Sequence, residues 1–250
     1  MTSFTAESPT LVCRRFEQLG GVRFGFSSRQ GGRSPFPLGM NLSFNVGDSH
    51  ENVVENRARF FRSLGIDENW VAFPRQCHSA RVVRVRSAGS YDSCDALITN
   101  DPQLFLAVTV ADCVPLFFYD PIVKAVASVH AGWRGASLKI VPAAVEAMRV
   151  EFNSRASNLI AFVGPSARVC CYEVGGAVAE KFDARFTVQQ KGKLFLDLKG
   201  VIHGQLRANG IMEENIEMSD LCTMCNADLF HSYRRDKERS GRMMGVIGLT

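Results

Sequence analysis

The chain predicts an α+β fold: a single domain of mixed β-sheets flanked by helices. Three observations carry this. Strand-like apolar runs crowd the middle of the chain, stretches with helical periodicity lie on either side, and the two do not alternate with the cadence of a parallel βαβ sheet. No repeat, low-complexity run or interdomain linker divides the 250 residues, a length that supports one sizeable core. The nearest approach to a linker, RQGGRSPFPLG from Arg29 to Gly39, has the Gly and Pro content of a structured or mobile loop.

Taken in order, Val22 to Ser27 is a short apolar run with strand character. Asn52 to Leu64 sets Val53, Val54, Ala58, Phe60 and Phe61 among charged residues at helical spacing. Arg81 to Val85 alternates again. Leu104 to Val110 and Val114 to Tyr119 are β-branched and aromatic, hence strands, interrupted by Asp112 and Cys113. Pro121 turns the chain, and Ala125 to Val129 resumes an apolar run that closes at His130. After Gly132 and Gly135, the series Ile140, Val141, Ala144, Val145, Met148 and Phe152 predicts a helix from Leu138 to Phe152. Beyond it we expect a strand at Leu159 to Val163, helices around Ala177 to Phe182 and at Leu198 to Asn209, and terminal strands near Leu229 to Tyr233 and at Met243 to Leu249.

Composition removes several classes of function. Hydrophobic residues make up 46% and charged residues 22%, the proportions of ordinary globular proteins, which excludes disorder and collagen. A net charge of +4 is too small over this length to call for a nucleic acid, although a small anionic substrate is compatible with it. The longest apolar tract, Leu104 to Tyr119, covers 16 residues and is broken by Asp112 and Pro115, short of the ~20 that a membrane helix needs. The opening MTSFTAESPT carries Glu7 and no basic segment followed by an apolar stretch, so no secretory leader is expected and the chain is expected in the cytoplasm. Its eight cysteines are irregularly placed and read as thiols rather than a disulfide framework.

Three residues stand where strand runs meet turns and carry soft or borderline donors: His78 in RQCHSA, Cys113 in VADCVP and His130 in SVHAGWRG. Two imidazoles and a thiolate suit zinc, and three protein ligands leave a fourth position for water or substrate. The gaps of 35 and 17 residues carry no local ligand signature, so two other readings stand beside this one. Cys113 can instead be a thiolate nucleophile with His130 or His78 as its base, or all three can be ordinary core and surface residues. Asp112, next to Cys113, can orient an imidazole, carry a proton or bond a turn amide. Cys222 and Cys225 form a C-x-x-C, by itself a redox pair or half a zinc site; with no thioredoxin context and no second pair, since Cys170 and Cys171 are adjacent and look unsuited to gripping one ion, it reads rather as coincidence or a ligand-facing wall. The run Arg234, Arg235, Asp236, Lys237, Glu238, Arg239 and Arg242 is either a solvated loop or a phosphate site.

In this order, GFSSRQGG, MNLSFNVGD, QCHSA, DALITN, ADCVPLFFYDP, SVHAGWRG, GPSARVCCYEVG and SYRRDKERSGR resemble the YfiH family, also called the laccase-domain or polyphenol-oxidase family. The match runs from about Phe24 to Leu249, and the paired segments ADC and HAGWRG are highly specific. On this resemblance the family's His, Cys and His metal ligands fall on His78, Cys113 and His130. It implies a zinc-dependent purine nucleoside phosphorylase that cleaves adenosine, inosine and methylthioadenosine with phosphate, alongside adenosine deaminase activity.

Copper is the lesser candidate, because a multicopper oxidase needs many more histidines than the five at positions 50, 78, 130, 203 and 231. For deamination, zinc would lower the pKa of a water that attacks C6 of adenine, with Asp112 as proton carrier in the absence of the H-x-E signature of zinc deaminases. For phosphorolysis, Ser28, Arg29, Arg134, Arg234 and Arg235 are the phosphate candidates. Asn41 is a candidate for a ribose hydroxyl or base edge, and Gln76 joins the substrate-binding set. Phe24 stands where many relatives have His. The family also includes peptidoglycan editing factors, which would make the reaction amide hydrolysis on a precursor, and its fold has been likened to toxin deamidases that use a Cys nucleophile. A non-enzymatic metal-binding or scaffold role is the third class, and protein partners stay undefined.

Overall fold

A computed structural model describes residues 10–250. Residues 1–9, read above as lacking a leader pattern, lie outside the described residues. Among these described residues the strands assemble into two six-stranded sheets and one three-stranded sheet. The first runs Thr10–Leu11, Val22–Ser27, Met243–Leu249, Phe105–Val110, Val71–Pro74, Gly89–Tyr91; the second runs Ile216–Met218, Ile160–Val163, Val114–Asp120, Ala125–Ala131, Ala96–Thr99, Val82–Arg84. Both mix parallel and antiparallel pairs, which bears out the mixed-sheet expectation.

Side-chain alternation explains why the central strands read as unbroken apolar runs. In Val114–Asp120, Phe117 and Tyr119 face the other sheet, whereas Val114, Leu116 and Phe118 face the helices Ile140–Phe152 and Leu198–Ala208. In Phe105–Val110, Leu106, Val108 and Val110 face the second sheet, and Phe105 and Ala107 pack with Phe60 and Phe61 of the helix His50–Ser63. Both faces of both sheets are therefore buried, giving four layers, helix, sheet, sheet, helices, and a sheet with two buried faces needs apolar residues at every position. Gly245 is required where the Phe117 ring of the second sheet presses on the first: a Cβ there would lie 2.3 Å from that ring. Phe24 belongs to this inter-sheet core, its ring centroid 4.8 Å from Phe117 and 5.2 Å from Phe162, so this position packs the interior.

Three elements differ from expectation. Leu229 to Tyr233 is no strand. Leu229 and Phe230 donate their N–H groups to Asn226 in a turn, Phe230 is buried in the core, and Ser232 caps a short helix Tyr233–Asp236. The helix expected from Leu138 starts at Ile140, because Lys139 adopts a left-handed conformation at φ 68° between it and the short helix Trp133–Ser137. The helix near Ala177 is only Gly176–Ala179. Among the described residues no helix is long and apolar enough to cross a membrane.

Candidate metal centre and active-site cavity

Strand parity delivers the first donor. In Ala125–Ala131, Val126 and Ser128 point between the sheets, and His130 follows them two residues on at the strand's end. Cys113 sits on the turn between Phe105–Val110 and Val114–Asp120, and His78 on the loop after Val71–Pro74. The three donor atoms, 35 and 17 residues apart in sequence, lie within 4.8 Å of one another. His78 Nε2 stands 4.0 Å from Cys113 Sγ, close to the ~3.6 Å that a tetrahedral zinc with normal bond lengths would set between such atoms. His78 and Asp112 take left-handed backbone at φ 62° and 84°, a cost of order 1–3 kcal/mol each for residues with a side chain, of the kind that gathers at functional sites. Gly132 keeps the cradle open, since a Cβ there would stand 2.9 Å from Cys113 Sγ and 3.0 Å from His78 Cδ2.

Asp95, which sequence reasoning quoted within DALITN but did not assign, organises the centre. Fully buried, it accepts a 2.7 Å hydrogen bond from His130 Nδ1 and a 2.9 Å bond from the His78 amide on Oδ1. On Oδ2 it accepts from the Ser79 amide at 2.7 Å and the Ser79 hydroxyl at 2.8 Å. Burial works against its charge, but the His130 and Ser79 hydrogen bonds hold the carboxyl well below the usual carboxylate range. A carboxylate on Nδ1 fixes the imidazole tautomer and turns Nε2 toward a metal. Burial also opposes the Cys113 thiolate, yet the facing imidazoles bring the thiol down to about 6. Reciprocally, the Cys113 and Asp95 charges raise His130 to about 9 against its burial. One sulfur and two imidazole nitrogens converge here, a donor set that fits zinc or another borderline cation, whose binding would displace the proton from His130 Nε2. The other histidines are elsewhere: His50 stacks on Phe44, His203 pairs with Glu213 and His231 is buried. Among the described residues, no further histidine joins this centre.

The three donors lie in the wall of a cavity of about 680 Å³, whose lining also includes Trp133, Arg134, Tyr172, Arg234, Lys237 and Arg242. The Arg234 guanidinium lies over the Tyr172 ring at 5.1 Å and that of Arg134 over Trp133 at 4.8 Å. Of the residues expected from sequence, Asp112, Gln76, Arg134 and Arg234 share this cavity with the donors. Asp112 is a clamp: it accepts from Thr223 Oγ1 at 2.6 Å, Ser232 Oγ at 3.0 Å and the Arg234 amide at 2.7 Å. Those bonds commit its carboxylate to holding two loops, unlike the expected proton carrier. Gln76 spends both ends of its amide on Thr109.

Ser28, Arg29, Asn41 and Arg235 are not in the cavity lining. Ser28 opens on a separate pocket. Arg29 donates to Ala227 O and Pro37 O. Asn41, fully buried, bonds Ser43, Asp48 and the Arg242 amide. Arg235 is spent on the carbonyls of Thr223, Met224 and Phe230 and on Asp236. Like Ser28 and Arg29, the rest of the Arg29 to Gly39 loop lies outside the lining. Sequence reasoning assigned no role to Tyr172, nor to Arg57, which lines an adjoining pocket of about 260 Å³, and included Lys237 and Arg242 only as members of a run read as a solvated loop or a phosphate site. Only the richness of the 234–242 run in cations had pointed toward Lys237 and Arg242.

Residues 23–250 match the family described as multi-copper polyphenol oxidoreductase laccase. The chain belongs to this laccase-domain family, the YfiH family whose motifs it carries. It is 37% identical over 247 residues to a protein of Deinococcus radiodurans named purine nucleoside phosphorylase, covering 97% of this chain and 94% of that one. It is 35% identical over 244 residues to purine nucleoside phosphorylase YlmD of Bacillus subtilis, covering 90% and 87%. Among solved structures, hypothetical protein YfiH of Bacillus licheniformis superposes with a TM-score of 0.93 at 33% identity, covering 99% of each chain. YlmD of Geobacillus stearothermophilus also superposes at 0.93, with 29% identity and 99% and 98% covered.

Proposed function

We propose that this chain is a purine nucleoside phosphorylase that cleaves adenosine, inosine and methylthioadenosine with phosphate and also deaminates adenosine. The observation that carries the reading is one cavity of about 680 Å³ in which a His78, Cys113 and His130 donor set faces the cations Arg134, Arg234, Lys237 and Arg242. Relatives covering 90% and 97% of the chain bear the phosphorylase name, which supports it. His78, Cys113 and His130 would hold zinc, which supplies Lewis-acid chemistry when bound.

The chain's own groups account for binding and orientation. Arg234 and Arg134 present planar forks to an oxyanion, with Lys237 and Arg242 adding charge from the same lining. Trp133, in the same lining, offers ring surface to a purine, and the buried Tyr172 ring backs the Arg234 guanidinium. In phosphorolysis a phosphate oxygen forms the bond to C1′ while the C1′–N9 bond breaks and its electron pair leaves on the purine. In deamination, water displaces ammonia from C6. Asp112 acts through the two loops it ties, and Asp95 through His130.

A second reading draws on the Cys113 thiol at about 6 beside His130, the pairing of a Cys-dependent amide hydrolase. Convergence of both imidazoles with the sulfur favours the metal. Incubation of the purified protein with inosine, with and without phosphate, separates the two. Hypoxanthine and ribose 1-phosphate formed only with phosphate support phosphorolysis. Base release indifferent to phosphate, or none at all, contradicts it.

A further inference from the structure

The fold assembles a second soft-donor cluster that the proposed reaction does not use. Cys222 pairs with Ser166 in an isolated parallel bridge, and the Thr223 amide donates to the Ser166 carbonyl at 3.1 Å. This lays the C-x-x-C segment against the turn that carries Cys170 and Cys171, in which the Cys171 and Tyr172 amides both donate to the Arg168 carbonyl. That tight turn lets two adjacent cysteines serve one centre, contrary to the reading from sequence. The four sulfurs lie within 4.8 Å of one another, with Cys225 Sγ 3.7 Å from Cys170 Sγ and 3.3 Å from Cys171 Sγ. All four thiols are free. Thiolates at ~2.3 Å around a tetrahedral zinc stand ~3.8 Å apart, so the observed spacing is that of a ligand cage.

We propose that Cys170, Cys171, Cys222 and Cys225 form a second metal site, a closed four-thiolate zinc site that is structural rather than catalytic. Two surroundings support it. The C-x-x-C segment is folded back as a turn, the Asn226 amide donating to the Cys222 carbonyl at 3.0 Å and the Asn226 side-chain amide to the same carbonyl at 2.9 Å, which fixes the backbone that carries both sulfurs. Four thiolates on a dication leave two negative charges, and two basic side chains, Lys199 and Arg168, reach the residues just ahead of Cys222. Each of them is tied to the same segment, Lys199 to the Ser219 carbonyl and Arg168 to that of Asp220.

The site also has a consequence for the cavity. Thr223, inside the C-x-x-C, donates to Asp112 at 2.6 Å, and Tyr172, next to Cys171, lines the cavity under Arg234. Zinc on the four sulfurs would fasten both walls, and this inference goes beyond the proposed reaction.

Metal analysis of the purified full chain tests it. The wild type is expected to carry about two zinc per chain, and a His78→Ala, His130→Ala double variant about one. Cobalt substituted into that double variant should show the intense sulfur-to-metal charge-transfer absorption of tetrahedral thiolate coordination. Cys225→Ser should remove one equivalent and lower the thermal midpoint; should it fail to fold, the histidine variant decides alone. A histidine variant without zinc, whose four thiols react with a thiol reagent in the native state, overturns the proposal. So does a Cys171 to Cys225 disulfide in protein isolated without reductant. One equivalent in the wild type that persists in the histidine variant upholds the four-sulfur site and sinks the three-donor one.

Discussion

Two clusters in this molecule use the same soft donors, and their surroundings set them apart. His78, Cys113 and His130 mix nitrogen with sulfur, have the buried Asp95 carboxylate behind them and open onto a large cavity lined with cations. Cys170, Cys171, Cys222 and Cys225 are all sulfur, have the basic Arg168 and Lys199 side chains beside their C-x-x-C segment, and sit where two loops meet near the surface. An imidazole needs an acceptor behind it to fix its tautomer, whereas a thiolate needs positive dipoles to offset its charge. Three donors leave a coordination position to a reactant; four close the shell. With zinc on both, one element would do chemistry in one place and fasten loops in the other, and the supporting shell would decide which.

The largest effect expected on the open centre comes from Cys113→Ser. Losing the charged donor should abolish stoichiometric zinc there and lower phosphorolysis by about 10³-fold or more, the equivalent of several kcal/mol. Retained zinc with lost activity, together with selective alkylation of the wild-type thiol, would break the comparison by making Cys113 a nucleophile. Next is Asp95→Asn, which keeps the shape and removes the charge behind His130. Zinc affinity measured by chelator competition should fall about 10–100-fold, and an unchanged affinity would show that the carboxylate does not tune the centre.

Arg234→Gln sharpens the assignment of the cavity wall. Loss of a charge-assisted contact should raise the KM for phosphate about 10-fold or more and leave that for inosine nearly unchanged. Arg235→Gln should instead lower stability, since its guanidinium bonds three carbonyls. Equal kinetic effects of the two substitutions would contradict the split.

A further effect, on stability rather than on the reaction, belongs to a buried histidine outside both clusters. Burial, with the Arg29, Arg242 and Arg235 charges nearby, pushes the His231 imidazole down to about 3, against about 6.5 in an unfolded chain. The unfolded state thus takes up a proton below about pH 6.5 that the folded state refuses until about pH 3, and stability falls as pH drops through that window. Between pH 7.5 and pH 5 this amounts to about 2 kcal/mol. Urea unfolding at the two pH values should show His231→Gln losing correspondingly less stability than the wild type. An identical pH dependence in both proteins would disprove it.

Much of the scaffold was legible because burial on both faces writes itself into composition. The runs around Leu106, Phe117 and Ile247 could only be strands of a covered sheet, and the period of Ile140 to Phe152 only an apolar helix face. The 229–233 segment misled because Leu229 and Phe230 are apolar for packing while their amides serve a turn. Short strands such as Ala96–Thr99 escaped because few residues carry little periodicity.

Residue types along the chain nominated side chains able to bind a metal, since few types can, and it was the family resemblance of the motifs around His78, Cys113 and His130 that singled out those three. Neither reached Asp95 as the group behind His130, the exclusion of Ser28, Arg29, Asn41 and Arg235 from the cavity, or the meeting of Cys170 and Cys171 with Cys222 and Cys225. Those outcomes turn on where strands end and which loops they carry side by side. Sulfurs about 55 residues apart become neighbours at 3.3 Å only through long-range strand pairing, which local pattern does not encode.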